Sequence, residues 1–115
     1  MRYIAETKIN SSRIKRLMIY EVEGGVYLFE YDILHDGPSK GDSWFENLEK
    51  ALETCEREYG VEIEQWKAIP DPLEQCQQDW IEPVRIAGRS AGDPQWGHYE
   101  KLVDGVWIEL NLHRE

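Results

Sequence analysis

Seven residues in two proline-bearing stretches could form a working surface. Asp71, Glu74, Asp79 and Trp80 lie in "AIPDPLEQCQQDWIEP", and Gln95, Trp96 and His98 in "AGDPQWGHYE". An indole is a large, rigid apolar plane with one polar edge. Tryptophan is a usual interface anchor, and a carboxylate rim steers basic partners towards it. The residue types therefore suit binding. Two readings follow. In one, both indoles plug the open side of a small sheet as parts of a cover loop. In the other, they stand out as an anchor surface rimmed by Asp71, Glu74, Asp79, Gln95 and His98. Both hold if each indole buries one edge and shows the other.

Catalysis finds less support. Asp71, Glu74, Asp79 and Glu82 are candidate carboxylates, but acid–base work needs two groups in distinct environments, one with its pKa raised by burial. His98 beside Asp93 or Glu100 could be an oriented base, with Cys76, Ser90 or a water as nucleophile. No motif links these groups, so no catalytic residue is assigned and the chain reads as a binder before an enzyme. "HYE", His98 to Glu100, matches one half of the zinc-deaminase signature, and the P-C-x-x-C half is missing. Cys55, Cys76, His35, His98 and His113 are not spaced as paired zinc ligands, and no metal or cofactor is expected. "GPSKGDS", Gly37 to Ser43, departs from the phosphate-binding loop pattern, and Asp36 and Asp42 would repel an anion. It reads as a connecting loop.

The elements that would carry these residues are legible in outline. "RYIAETKI" alternates as a first strand, followed by a turn at residues 10–12. "IKRLMIYEV" and "VYLFEYDI" flank "EGG" as a hairpin. With Gly24-Gly25 as its loop, Tyr20 faces Phe29, Val22 faces Tyr27 and Met18 faces Tyr31. One face is then aromatic, and the other mixes carboxylates with aliphatics. "SWFENLEKALETCEREYG" predicts an amphipathic helix, with Ser43 and Glu46 as a capping box. Phe45, Leu48, Leu52, Cys55 and Tyr59 form its inner face. Glu46–Lys50 and Glu53–Arg57 are i,i+4 pairs, and Gly60 is the stop. Trp44 is expected at the helix start, covering the core edge. "VEIEQWKAI" alternates as a strand, with Trp66 in the core or on the sheet surface. "WIEPVRIAG" is a weaker strand, which Pro83 demotes to an edge or a bulged piece. "HYEKLVDGVWIEL" predicts a hairpin on Asp104-Gly105, with Leu102 facing Trp107 and Tyr99 facing Leu110. Trp107 then reads as core. The expected fold is α+β: an antiparallel β-sheet with one amphipathic helix on one face, in the order β-β-β-α-β, loop, β-β-β, within a single domain of residues 1–115.

Composition narrows the partners. The chain has 115 residues, with 13 basic and 23 acidic, a formal charge of −10. That charge disfavours nucleic acid and anionic membranes, and favours a basic protein surface. Residues 1–20 run against the trend, with five basic residues and one acidic; they could form a small nucleic-acid patch, but most simply offset the acidic strands and helix within the fold. No apolar run approaches membrane-spanning length. Cys55 and Cys76 form no C-x-x-C, and two thiols without a signal peptide suggest a reduced, cytoplasmic protein, although one disulfide could form if the loop folds back on the helix.

Three functions are therefore carried forward. The first is a small acidic protein-binding module, holding a basic partner by its acidic helix and aromatic loops, which resembles immunity or antitoxin-type inhibitors in size and charge alone. The second is a small-ligand domain or enzyme with a site between the sheet and the 70–97 loop. The third is a homo-oligomeric structural protein, self-pairing through Leu17, Ile19, Val26 and Leu28 or adding a strand at an open edge.

Overall fold

The computed structural model describes residues 1–8, 13–88 and 91–110. The turn at 10–12, Ser90 and His113 lie outside the described residues. The fold is α+β with antiparallel sheets, as expected, in two compact units: Met1–Asp71 and Pro72–Glu115.

The first unit is a five-stranded sheet carrying one helix. Its strands are β1 (Arg2–Glu6), β2 (Arg16–Val22), β3 (Gly25–Tyr31), β4 (Gly41–Phe45) and β5 (Lys67–Ile69), in spatial order β4-β3-β2-β1-β5. The helix α1 covers Leu48–Tyr59, and a short 3₁₀ turn follows at Ile63–Gln65. Leu17, Ile19, Val26 and Leu28 project from the face on which Ala51 and Cys55 of α1 pack, with Ala5 and Val61 completing the cluster. Each large aliphatic there contributes about 1.5–3 kcal/mol by leaving water. All four sheet aliphatics are at most 2% exposed, so this face is occupied and is not a self-pairing surface.

The helix begins later than its sequence suggests. Ser43 and Glu46 do not form a capping box. Gly41–Phe45 instead pairs with β3, Trp44 opposite Tyr27 and Ser43 opposite Leu28. Asn47 is the cap, its side-chain oxygen accepting from the Lys50 N–H at 2.9 Å. Ladder bonds to an existing sheet outweigh a local cap when an equally good cap residue stands four positions on. At the other end Gly60 takes φ 70°, and the Gly60 and Val61 N–H groups donate to Glu56 and Cys55 carbonyls. The Tyr59 hydroxyl donates to the Glu30 carboxylate and ties the last turn of α1 to β3. Burial, and then this bond, raise the Tyr59 phenol above its ordinary value. Burial likewise pushes the Cys55 thiol up to about 12.

The first hairpin is shifted. Val22 pairs with Gly25 and Tyr20 with Tyr27, so the turn is Glu23-Gly24 and Gly25 is the first residue of β3. The shift moves each partner by two positions, which leaves the same residues on each face. Its cause lies on β4. The Trp44 indole crosses Gly25 so closely that a Cβ there would stand 1.9 Å from Cζ2. Trp44 meets Tyr27 edge-on at 4.7 Å and is 51% exposed, on the sheet face opposite the helix. It therefore does not cap the core edge. Arg2 and Arg16 are buried on that same face. The Arg2 Nε donates to the Pro70 carbonyl at 2.8 Å, and the Arg16 guanidinium lies 4.1 Å from the Tyr31 ring centroid and donates to the Leu34 and His35 carbonyls.

The second unit is a three-stranded sheet of β6 (Val84–Ile86), β7 (Tyr99–Val103) and β8 (Val106–Leu110), in that order. Asp104 and Gly105 both take positive φ, 50° and 79°, as the type I′ turn requires. Leu102 pairs with Trp107 and Tyr99 with Leu110, as expected. β6 is an edge strand, as Pro83 implied. Trp107 is only half-buried, with the Arg85 guanidinium 3.9 Å from its centroid and the Arg85 Nε donating to Glu100 at 2.9 Å. Among the described residues, no helix is long and apolar enough to cross a membrane.

Candidate functional site

Of the seven residues singled out by sequence, Asp71 lies in the first unit and the other six in the second. Trp80 is buried at 4% exposure, tilted against Tyr99 with centroids 6.3 Å apart, so it is not an exposed anchor. Trp96 is 73% exposed. Gln95, Trp96 and His98 share one exposed turn. The Gln95 N–H donates to the Ala87 carbonyl at 2.8 Å, the His98 N–H to the Gln95 carbonyl at 3.0 Å, and the Ala87 N–H to the His98 carbonyl at 2.8 Å. This turn is locked at its base, where the Asp93 N–H donates to the Gly88 carbonyl and a Cβ on Gly88 would meet the Asp93 oxygen at 2.2 Å. Glu74 is exposed and Asp79 half-buried in the preceding loop. Asp71 belongs to the first unit, with its carboxylate 2.8 Å from the Met1 amine. The two tryptophans thus divide the two readings between them.

Cys55 and Cys76 are both buried thiols that are not joined in a disulfide. Among the described residues, no group of three or more His, Cys, Asp or Glu could hold a metal ion.

A more developed concavity lies on the first unit, along α1. Leu48, Leu52, Val61 and Ile63 form its apolar part, Glu49, Glu53 and Glu56 its rim, and it encloses about 450 Å³. The helix repeat places positions 49, 53 and 56 in one stripe, beside Leu48 and Leu52. Those leucines are half-buried against the core, Val61 is fully buried beneath, and Ile63 stands at the wall, 69% exposed. An isoleucine this open, between the exposed Glu62 and Glu64, is an apolar group with charge on either side. Residues 46–64 hold seven glutamates against Lys50 and Arg57, a net −5. Lys50 is paired with Glu46 at 2.9 Å, which lowers the Glu46 pKa and raises that of Lys50. Arg57 turns to Glu58 at 3.5 Å, not to Glu53. Neither cation lines the groove.

The sequence reading puts the glutamates on the outer face of an acidic helix that would hold a basic surface, but it assigns Ile63 to a strand, so it misses the apolar groove beside them. The available signal was the stripe itself running beside Leu48 and Leu52, with Ile63 set between two glutamates just past the helix stop.

Comparison with protein families, with curated proteins and with solved structures finds no significant match to this chain.

Proposed function

We propose that this chain is an acidic protein-binding module that holds a basic partner protein on α1. The observation that carries this reading is the apolar groove of Leu48, Leu52, Val61 and Ile63 with glutamates along its rim. The apolar floor provides contact area, and the carboxylates speed encounter with cationic partners and disfavour anionic ones. The overall charge of −10 acts in the same direction at longer range. By size and charge, the reading extends to inhibitors of the immunity or antitoxin kind. The test is capture of a partner from host lysate, then titration of the purified partner against wild type and Glu49→Lys/Glu53→Lys/Glu56→Lys. Affinity should fall by at least tenfold with the charge reversal and with a rise from 50 to 300 mM salt, both of which act on exposed charges. A partner whose affinity ignores both changes overturns the reading.

A second reading has its own observation. β8 is an edge strand, and Val103, Val106 and Ile108 are exposed on one face of the β7–β8 hairpin. Exposed apolar edge strands recruit further strands, which favours self-assembly. Light scattering that gives a monomer mass for wild type at millimolar concentration removes this reading. A dimer abolished by Ile108→Lys supports it.

A further inference from the structure

We infer that the α1 groove takes one basic amphipathic helix of the partner, its apolar ridge flanked by Lys or Arg on the shoulder that meets α1. This rests on the protein-binding reading and specifies the segment bound.

The backbone chemistry of the walls decides between helix and strand. An extended segment brings unpaired N–H and C=O groups and needs an open sheet edge to satisfy them. The groove offers none. One wall is the body of α1, whose backbone bonds run within the helix and whose end is closed by the Gly60 and Val61 N–H groups. The other is the 3₁₀ turn, where Gln65 and Trp66 N–H groups donate to the Glu62 and Ile63 carbonyls and the Glu62 N–H donates to the Gln65 side chain. A strand laid here would bury backbone groups without partners, at about 1–3 kcal/mol for each. A helix satisfies its own.

The dimensions agree. Glu49 to Glu56 spans seven residues of α1, about 10 Å along its axis. That matches the i, i+3/i+4, i+7 anchors by which a helix seats in a groove. The charges then set the flanks. Glu49, Glu53 and Glu56 line the α1 side, and Val61 and Ile63 line the other, which is apolar. A ridge of Leu or Ile with Lys or Arg on the shoulder that meets α1 is complementary to that order, and an acidic shoulder there is repelled.

The test uses the full chain and two fluorescein-labelled 18-residue peptides of identical Leu and Lys content. One has leucines at i, i+3, i+4 and i+7, and the other has them alternating. Fluorescence anisotropy at low salt should show the helix-patterned peptide binding at least tenfold tighter, with circular dichroism showing it helical when bound. Ile63→Asp puts a carboxylate at an exposed position without touching the core, and should weaken binding tenfold or more with the protein's own dichroism unchanged. Equal affinity for both peptides overturns the helix assignment and leaves the basic-partner reading standing. Unchanged affinity in Ile63→Asp overturns the groove as the seat. No binding of either peptide overturns this inference, while the parent reading still stands or falls by the captured partner and the charge reversal.

Discussion

Gly25→Ala adds one methyl group where the Trp44 ring already lies. The new carbon would stand 1.9, 2.4 and 2.6 Å from three indole carbons, so the ring must leave. Trp44 is 51% exposed and can swing into solvent without moving the sheet. Two contributions are lost. The edge-on contact with Tyr27 is worth about 0.5–1.5 kcal/mol. The covered half of the indole, roughly 100 Å², is worth about 2.5 kcal/mol at 25 cal/mol per Å². Alanine returns about 0.5–1 kcal/mol, because glycine loses more backbone freedom in a strand. The net destabilisation is about 2–3.5 kcal/mol. The assay is urea unfolding followed by far-UV dichroism, run as a cycle with Trp44→Ala. In the Trp44→Ala background, Gly25→Ala should be neutral or stabilising by up to about 1 kcal/mol. Equal destabilisation in both backgrounds would refute the packing argument and make Gly25 a turn glycine after all.

The remaining predictions concern the helix. Asn47→Ala should destabilise the protein by about 1 kcal/mol in urea, as loss of a cap does, whereas Ser43→Ala should stay within about 0.5 kcal/mol, as exposed surface changes do. Stability should fall as pH rises from about 9 to about 12. The Cys55 thiol ordinarily ionises near 9.0 and is held protonated by burial up to about 12, so above pH 9 only the unfolded chain gains by losing that proton. Tyr59, shifted in the same direction, adds to the loss above pH 10. Cys55→Ala should flatten the profile between pH 9 and 10, read as urea midpoints at each pH. An unchanged slope there would place the linkage elsewhere.

How much was legible depended on how far each signal reached along the chain. Asp104-Gly105 could be read directly, because both turn positions demand positive φ and the answer is local. The inner face of α1 could be read for the same reason, Leu48, Leu52, Cys55 and Tyr59 recurring within one element. "EGG" could not be registered correctly, because Gly25 answers to an indole on β4, nineteen residues later in sequence. Ser43 and Glu46 have the form of a cap, and only pairing with β3 shows why Asn47 takes that role. Trp80 and Trp96 sit in similar Asp- and Pro-bearing phrases, yet one is buried and the other exposed. Local composition carries no information about which loop residue meets a sheet. The α1 groove has two walls from different elements, so a helical wheel alone reports its glutamates as ordinary solvated charge.

The placement of Arg2 and Arg16 has a consequence for polyanions. Five basic residues make the first twenty positions the one cationic stretch of the chain, and two of them are inside, 2% and 3% exposed. Their guanidiniums are committed to carbonyls of Pro70, Leu34 and His35. A phosphate backbone approaching this end would meet Lys8, Arg13 and Lys15. Three neutralised phosphates give a logarithmic salt slope of about −2.7 on double-stranded DNA. That contact would be set against the repulsion of a chain with 23 acidic residues. Burying two arginines leaves three of this end's five cationic side chains exposed to solvent.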